Sequence, residues 1–498
     1  MIGFRVDANE QIATGHLMRC IAIAEACRRQ GEKCLFLLAE NKETERLKEH
    51  NLPFYILNTC WNDLESELPM LQQILQKERI TKLVVDSYQV TEIYLRSLNE
   101  QVPVLYVDDL ELHTYDVNAV LHYSEWQEDY AYREKYLLKN TKVLSGMQYV
   151  PLRDEFSPDE QGKIREKSIL ITTGGTDPFN ITGTLLQRLK KQEELREYAF
   201  HVIVGSMNQH EAELKLMEEK DTRIFLHKNV KNMSYFMKTC RFAVSAGGTT
   251  LFELCACGIP TVCFSFADNQ QRFVNELDKK HIMISAGDAR TEKDFVGKIC
   301  DSLMLYHKNE EMALSYAKRM QALVDGRGTE RIAKYLCAKR KKFGQIHLRK
   351  AQSADAELLY EWKNDPVCIQ NSLSKRRVYW EEHQKWFSSM LDSDKAGIFV
   401  VEVGGDSAAQ IRLDKVGVCG TISYSIAKEY RGYGLGTEMM QLIEKKATEM
   451  GIYELRAVVL RYNIASRKVF LQAGYQESME GDNLLYTKKM KINFSYIN

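Results

Sequence analysis

The chain has 498 residues, enough for two to four domains. Hydrophobic residues make up 44% and charged residues 27%, the balance of an ordinary globular protein. The 68 basic residues equal the 68 acidic ones, which argues against bulk nucleic-acid or membrane binding. Charges fall within the first seven residues, MIGFRVD, so no signal peptide is expected. No apolar run approaches the length of a membrane span. Twelve cysteines are scattered without a framework or zinc spacing. They fit reduced core residues of a cytoplasmic protein, and no metal is expected.

Phe4-Arg5-Val6 ends a first buried strand, and Asp7 to Thr14 is polar and turn-prone. Leu17, Met18, Ile21, Ala22 and Ala24 then recur at helical spacing, so a helix begins near Gly15-His16. His16 thus stands at a strand-to-helix switch, where open α/β sheets bind ligands. The helix start favours a phosphate and a neutral imidazole able to take a proton. Alternatively His16 only caps the helix. Leu35 to Leu38 and Phe54 to Leu57 are further strands, and 63–78 is a helix. Leu83-Val84-Val85-Asp86 and Val104 to Asp109 are strands ending in acids. Asp86, Asp108 and Asp109 either face the ligand edge of a mostly parallel sheet or close turns.

Gly146 to Phe156 crosses between two halves. Ile169 to Thr173 restarts the alternation and runs into Gly174-Gly175-Thr176-Asp177, where adjacent glycines let a ligand approach the backbone. Phe200 to Gly205 and Ala243-Val244-Ser245 are further strands. Gly247-Gly248-Thr249-Thr250 opens a helix that carries Glu253. Gly258-Ile259-Pro260 ends it, and Asp268-Asn269-Gln270 follows the next strand. The amides at Gly248, Thr249 and Thr250 suit a diphosphate, and Glu253 suits two ribose hydroxyls. Without the full ordered run, a plain Rossmann-like unit would explain the glycines equally well.

Two such halves resemble the GT-B-type nucleotide-sugar enzymes. Within them, R-V-D-A with G-H-x-x-R-C, G-G-T-D-P and D-N-Q is similar to the UDP-sugar hydrolases of pseudaminic acid biosynthesis, over about residues 1–338. The resemblance implies removal of UDP from UDP-2,4-diacetamido-2,4,6-trideoxy-β-L-altropyranose. It makes His16 the base, and places Asp7, Arg153, Gly175, Asp177, Gly248, Thr249, Thr250, Glu253, Asn269 and Gln270 against substrate. Ala13 departs from the usual glycine, but Gly15-His16 is intact. The expected domains are 1–150 and 151–338.

Residues 309–338 form a last helix of this region, interrupted at Asp325-Gly326-Arg327-Gly328. Lys339-Arg340-Lys341-Lys342 is a solvated linker. Ile346 begins a new strand, 355–364 is a helix, and Tyr379 to Phe387 is an aromatic helix. Strands follow at Phe399 to Val403, Gln410 to Leu413 and Thr421 to Ile426. Arg431-Gly432-Tyr433-Gly434-Leu435-Gly436-Thr437 then opens a helix from about 435 to 450, and its amides suit a pyrophosphate. With Asn463-Ile464-Ala465-Ser466 and Ala473-Gly474-Tyr475, this stretch resembles the GNAT N-acetyltransferases over about 346–490. The resemblance implies acetyl-CoA as co-substrate. Arg431, Gly432, Gly434, Gly436 and Thr437 would take its pyrophosphate and Asn463 its pantetheine arm. The strand end at Ser425 and Ile426 would meet the thioester oxygen. Phe470 stands where many such enzymes have an acidic tyrosine, leaving Tyr462, Tyr475 or water. The expected fold is α/β: two Rossmann-like halves, then a mixed α/β GNAT domain. The expected function is 4-N-acetylation of UDP-4-amino-4,6-dideoxy-N-acetyl-β-L-altrosamine, then hydrolysis of the product. UDP-amino sugars and acetyl-CoA are the expected partners. The alternative is a GT-B glycosyltransferase with an accessory acetyltransferase.

Overall fold

The computed structural model describes residues 1–9, 11–12, 14–124, 126, 130–157, 165–205, 207–338 and 343–490. Ala13 and the basic run 339–342 lie outside them. The chain divides into two compact units. The first is Met1–Gln127 with Thr141–Cys337, and the second is Glu128–Asn140 with Ala338–Asn498.

The first unit holds two parallel sheets. One comprises β1 (Ile2–Val6), β2 (Cys34–Leu38), β3 (Phe54–Ile56), β4 (Lys82–Asp86), β5 (Val104–Val107), β6 (Ala119–His122) and β7 (Lys142–Ser145). Its order is β3-β2-β1-β4-β5-β6-β7. The other comprises β8 (Glu166–Thr172), β9 (Ala199–Ile203), β10 (Ile224–His227), β11 (Cys240–Ala246), β12 (Thr261–Ser265) and β13 (Ile284–Asp288), ordered β10-β9-β8-β11-β12-β13. β1 and β2 are buried along their whole length, as strands covered on both faces are, and the one charge among them, Arg5 of β1, is paired inside. In each sheet the strand order reverses beside the first strand, between β1 and β4 and between β8 and β11. These are the switch points at which doubly wound sheets leave a crevice.

The helix predicted near Gly15 spans Gly15–Arg29 and buries Leu17, Ile21, Ala24 and Cys27. The last helical region is two helices, Glu310–Leu323 and Gly328–Cys337. The second returns to the first sheet's side: Thr329 Oγ1 donates to the Leu152 carbonyl at 3.1 Å and Arg331 to that of Gln148 at 2.9 Å. All twelve cysteines are free thiols.

The second unit is a mixed sheet of β14 (Ile346–Lys350), β15 (Ala396–Val403), β16 (Asp406–Val416), β17 (Cys419–Ile426), β18 (Glu454–Val459), β19 (Gln476–Glu480) and β20 (Asn483–Lys489). The order is β14-β15-β16-β17-β18-β20-β19. Every pair is antiparallel except β17 with β18, whose crossover is the Leu435–Glu449 helix. Residues 130–140 belong to this unit, and Glu134 within them pairs with the buried Arg467. Among the described residues no helix is long and apolar enough to cross a membrane.

Candidate active sites

At the β1/β4 switch point His16 is 7% exposed and faces a small cavity shared with Asp7, Trp61, Asp86, Tyr88 and Gln89. Its Nδ1 lies 3.5 Å from Asp86 Oδ1, and the Tyr88 ring stands edge-on to it at 4.5 Å. Burial pushes the His16 pKa below the ordinary imidazole value, against the pull of Asp86. Arg19, one turn along the same helix, donates to Asp86 through Nε at 2.6 Å and to Asp109 through Nη1 at 2.7 Å. It also reaches the Tyr123 hydroxyl at 2.5 Å. The Tyr88 hydroxyl donates to Asp109 at 3.2 Å, and burial pushes that phenol up to about 12. Asp7 lines the cavity, but its carboxylate is held by Arg5 at 2.5 Å and by the Ala39 amide at 2.7 Å. Arg5 is itself clamped by the buried Glu67, so Asp7 belongs to a structural ion network.

At the second switch point the glycine turn opens the Thr250–Cys257 helix. A Cβ on Gly247 would come within 2.6 Å of Val274, so only glycine lets this turn sit on the neighbouring helix. Gly248 is exposed with open space around it, but contrary to expectation its amide is not free, since it donates to the Ala246 carbonyl at 2.9 Å. Among the described residues no acceptor engages the Thr249 and Thr250 amides. Glu253 is half-buried with Arg153 3.8 Å away, and Arg153 in turn pairs with Glu155 at 2.7 Å. Burial raises the Glu253 carboxyl to about 7, opposed by Arg153. Asn269 is exposed at the start of the Asp268–Lys279 helix. Gln270 instead clasps the Phe266 amide at 3.0 Å. Gly175 is exposed beside Met207. Asp177 is employed otherwise than expected: fully buried, it caps the next helix by accepting from the Ile181 and Thr182 amides at 2.8 and 3.0 Å. A short acid followed by a helix start favours that use. The two sheet edges meet through side chains, because Tyr123 packs its ring against Phe252 of the glycine-turn helix at 6.2 Å.

In the second unit β17 and β18 pair only over Cys419–Thr421 and Glu454–Arg456, then separate. Ala427 donates its amide to the Ala408 carbonyl. By the alternation of an antiparallel ladder, the Tyr424 and Ile426 amides therefore point away from β16, into the gap. The Ser425 amide faces β16 by the same alternation and is not free for a thioester, while its Oγ is buried and, among the described residues, has no hydrogen-bond partner. Beyond the gap, no acceptor among the described residues engages the amides of Gly432, Gly434 and Gly436. Thr437 bonds Gln472 at 3.3 Å. Arg431 is turned from the glycine turn: it grips the Ile426 carbonyl at 2.7 Å and Asp365 at 2.9 Å. Asn463 caps the Ile464–Gln472 helix by accepting from Ser466 at 3.2 Å. Phe470 is core, stacked on Tyr486 at 5.3 Å. The Tyr462 hydroxyl donates to the Gln370 carbonyl at 3.1 Å.

Fold and comparison together define the class: a double Rossmann-like, GT-B-type region followed by a GNAT-type domain. Residues 169–324 match the glycosyltransferase family 28 C-terminal domain, and residues 345–476 match the acetyltransferase (GNAT) domain. Among relatives, an uncharacterized protein of Methanocaldococcus jannaschii is 23% identical over 96% of this chain and 97% of its own. The spore coat polysaccharide biosynthesis protein SpsG of Bacillus subtilis is 21% identical over 67% of this chain and 97% of its own. Helicobacter pylori has a pseudaminic acid cytidylyltransferase and UDP-2,4-diacetamido-2,4,6-trideoxy-beta-L-altropyranose hydrolase. It is 26% identical over 39% of this chain and 34% of its own.

Proposed function

We propose that the chain is a bifunctional nucleotide-sugar enzyme of pseudaminic acid biosynthesis. Its first unit hydrolyses UDP-2,4-diacetamido-2,4,6-trideoxy-β-L-altropyranose. Its second acetylates the 4-amine of UDP-4-amino-4,6-dideoxy-N-acetyl-β-L-altrosamine. The observation that carries the hydrolytic reading is His16, buried and biased toward its neutral form at a sheet switch point, with a carboxylate beside Nδ1. That leaves Nε2 to take a proton from water. As the water oxygen bonds to the anomeric carbon, the C–O bond to the diphosphate breaks and its electron pair leaves with UDP. The Thr249 and Thr250 amides receive the charge on the diphosphate. Glu253 takes the ribose hydroxyls, Arg153 steadies Glu253, and Asn269 contacts the sugar.

For acetyl transfer, Gly432 to Gly436 supply amides to the pyrophosphate of acetyl-CoA, and the Ile426 amide meets the thioester oxygen as the amine attacks. The orphaned Ser425 hydroxyl and the open strand gap fit such a ligand. Here Arg431 acts by shaping the Ile426 end instead of touching phosphate. The Helicobacter relative's name supports the sugar, and the GNAT match supports the acyl transfer. Domain limits of 1–150, 151–338 and 346–490, with Glu128–Asn140 joined to the last of these, and a cytoplasmic location complete the reading.

A second reading, sugar transfer to an acceptor hydroxyl, is favoured by the glycosyltransferase match and the spore-coat relative. UDP release from the diacetamido sugar without any acceptor separates the two. Hydrolysis predicts turnover in water alone, and transfer predicts none.

A further inference from the structure

The side chains around His16 close on themselves. Asp86 faces His16 and takes the Arg19 Nε; Arg19 Nη1 reaches Asp109; Asp109 accepts from Tyr88; and Tyr88 packs edge-on against His16. Arg19 is the one member that holds both carboxylates, and its side chain is 10% exposed against 1% for Asp86. We propose that Arg19 is the positioning residue of the hydrolytic site, fixing Asp86 under His16 and, through Asp109, Tyr88 beside it. The proposal rests on the reading of His16 as base.

The physical reason is charge and geometry together. A buried aspartate 3.5 Å from an imidazole would by itself favour the imidazolium, which cannot take a proton. A guanidinium bonded to both oxygens of the same carboxylate offsets that pull and holds Oδ1 in place 3.5 Å from the ring. Only a planar fork can serve two carboxylates and the Tyr123 hydroxyl at once; a lysine is a point donor. The groups facing His16 are Asp7 after β1, Asp86 at the end of β4 and Tyr88 after it, Asp109 after β5, and Arg19 on its own helix. Asp86 and Asp109 raise the His16 pKa, whereas burial and Arg19 lower it.

The test is a nuclear magnetic resonance titration of His16 in the full chain with ¹³C-labelled histidine, the signal assigned by its loss in His16→Ala. Arg19→Gln should move the midpoint up, on the order of one pH unit. It should also lower kcat for UDP release at least tenfold, with the acid limb of the rate profile following the midpoint. Asp109→Asn should move the midpoint down. Opposite shifts from two neighbours are not what a merely structural role gives. Midpoints within a few tenths of wild type in both variants would overturn the proposal. Should Arg19→Gln fail to fold, Asp109→Asn, which keeps the Arg19–Asp86 fork, decides alone. If His16→Ala still releases UDP at the wild-type rate while both midpoints move as stated, the base reading fails and the positioning role stands.

Discussion

Replacing Gly434 tests the acetyl-CoA site with two separable effects. Gly434 is the N-cap of the Leu435–Glu449 helix at φ +90° and ψ −5°, and a Cβ built on it meets no atom within 4 Å. The protein itself therefore raises no steric objection to a side chain. Gly434→Ala costs only the left-handed backbone, about 1–2 kcal/mol, which is a factor of about 5–30 in an equilibrium. Asparagine visits that conformation routinely, so Gly434→Asn costs less. Both variants, however, put a side chain into the open space where the pyrophosphate would lie. Acetyl-CoA affinity, measured by calorimetry, should fall at least tenfold in both. The thermal midpoint of the second unit should fall clearly only in the alanine variant. If Gly434→Asn binds acetyl-CoA as wild type does, the turn is a structural feature and the assignment is wrong.

His16→Ala should lower UDP release by about 10²–10⁴ while acetyl transfer continues, read by separate assays on one preparation. Because the His16 value is depressed, wild-type UDP release should hold below the ordinary histidine range and fall only as pH drops through the lowered pKa. Glu253 runs the other way. Its raised carboxyl, about 7, contributes stability present below the ordinary value near 4.5 and lost as pH rises through 7. Its charged form, which serves the ribose, exists above 7. The ratio of wild-type to Glu253→Gln affinity for UDP should therefore rise between about pH 6 and 8, and a flat ratio would contradict its role. Glu134→Gln should destabilise the second unit by about 1 kcal/mol, seen in denaturant unfolding, because the buried Arg467 loses the nearer of its two carboxylates and keeps Glu477 at 3.6 Å.

Much of this was legible from sequence because the central strands are unbroken apolar runs ending in acids or glycines. Leu83 to Asp86 and Val244 to Gly248 announce both a strand and its ligand edge. β6 and β7 were not visible: Ala119–His122 and Lys142–Ser145 are four residues each, too short for a period to register. Around His16, the acids Asp86 and Asp109 were legible but their partners were not. Arg19, Tyr88 and Tyr123 come from three separate elements, and only the strand order brings them together. A signal for Arg19 was present, since i and i+3 share a helix face with His16. Asp7, Asp177, Arg431 and Asn463 show the opposite limit. Residue type and motif position were clear, yet each side chain also serves a neighbouring amide, carbonyl or ion. Those partners follow from local backbone geometry that no motif encodes.

In the proposed reaction, water activated by His16 attacks the anomeric carbon of a UDP-sugar. Turnover of UDP-2,4-diacetamido-2,4,6-trideoxy-β-L-altropyranose in ¹⁸O-water, with both products analysed by mass spectrometry, tests it most directly. The prediction is label in the free sugar, none in the UDP, and inversion at the anomeric carbon. Label in the UDP phosphate would mean attack at phosphorus and would contradict it.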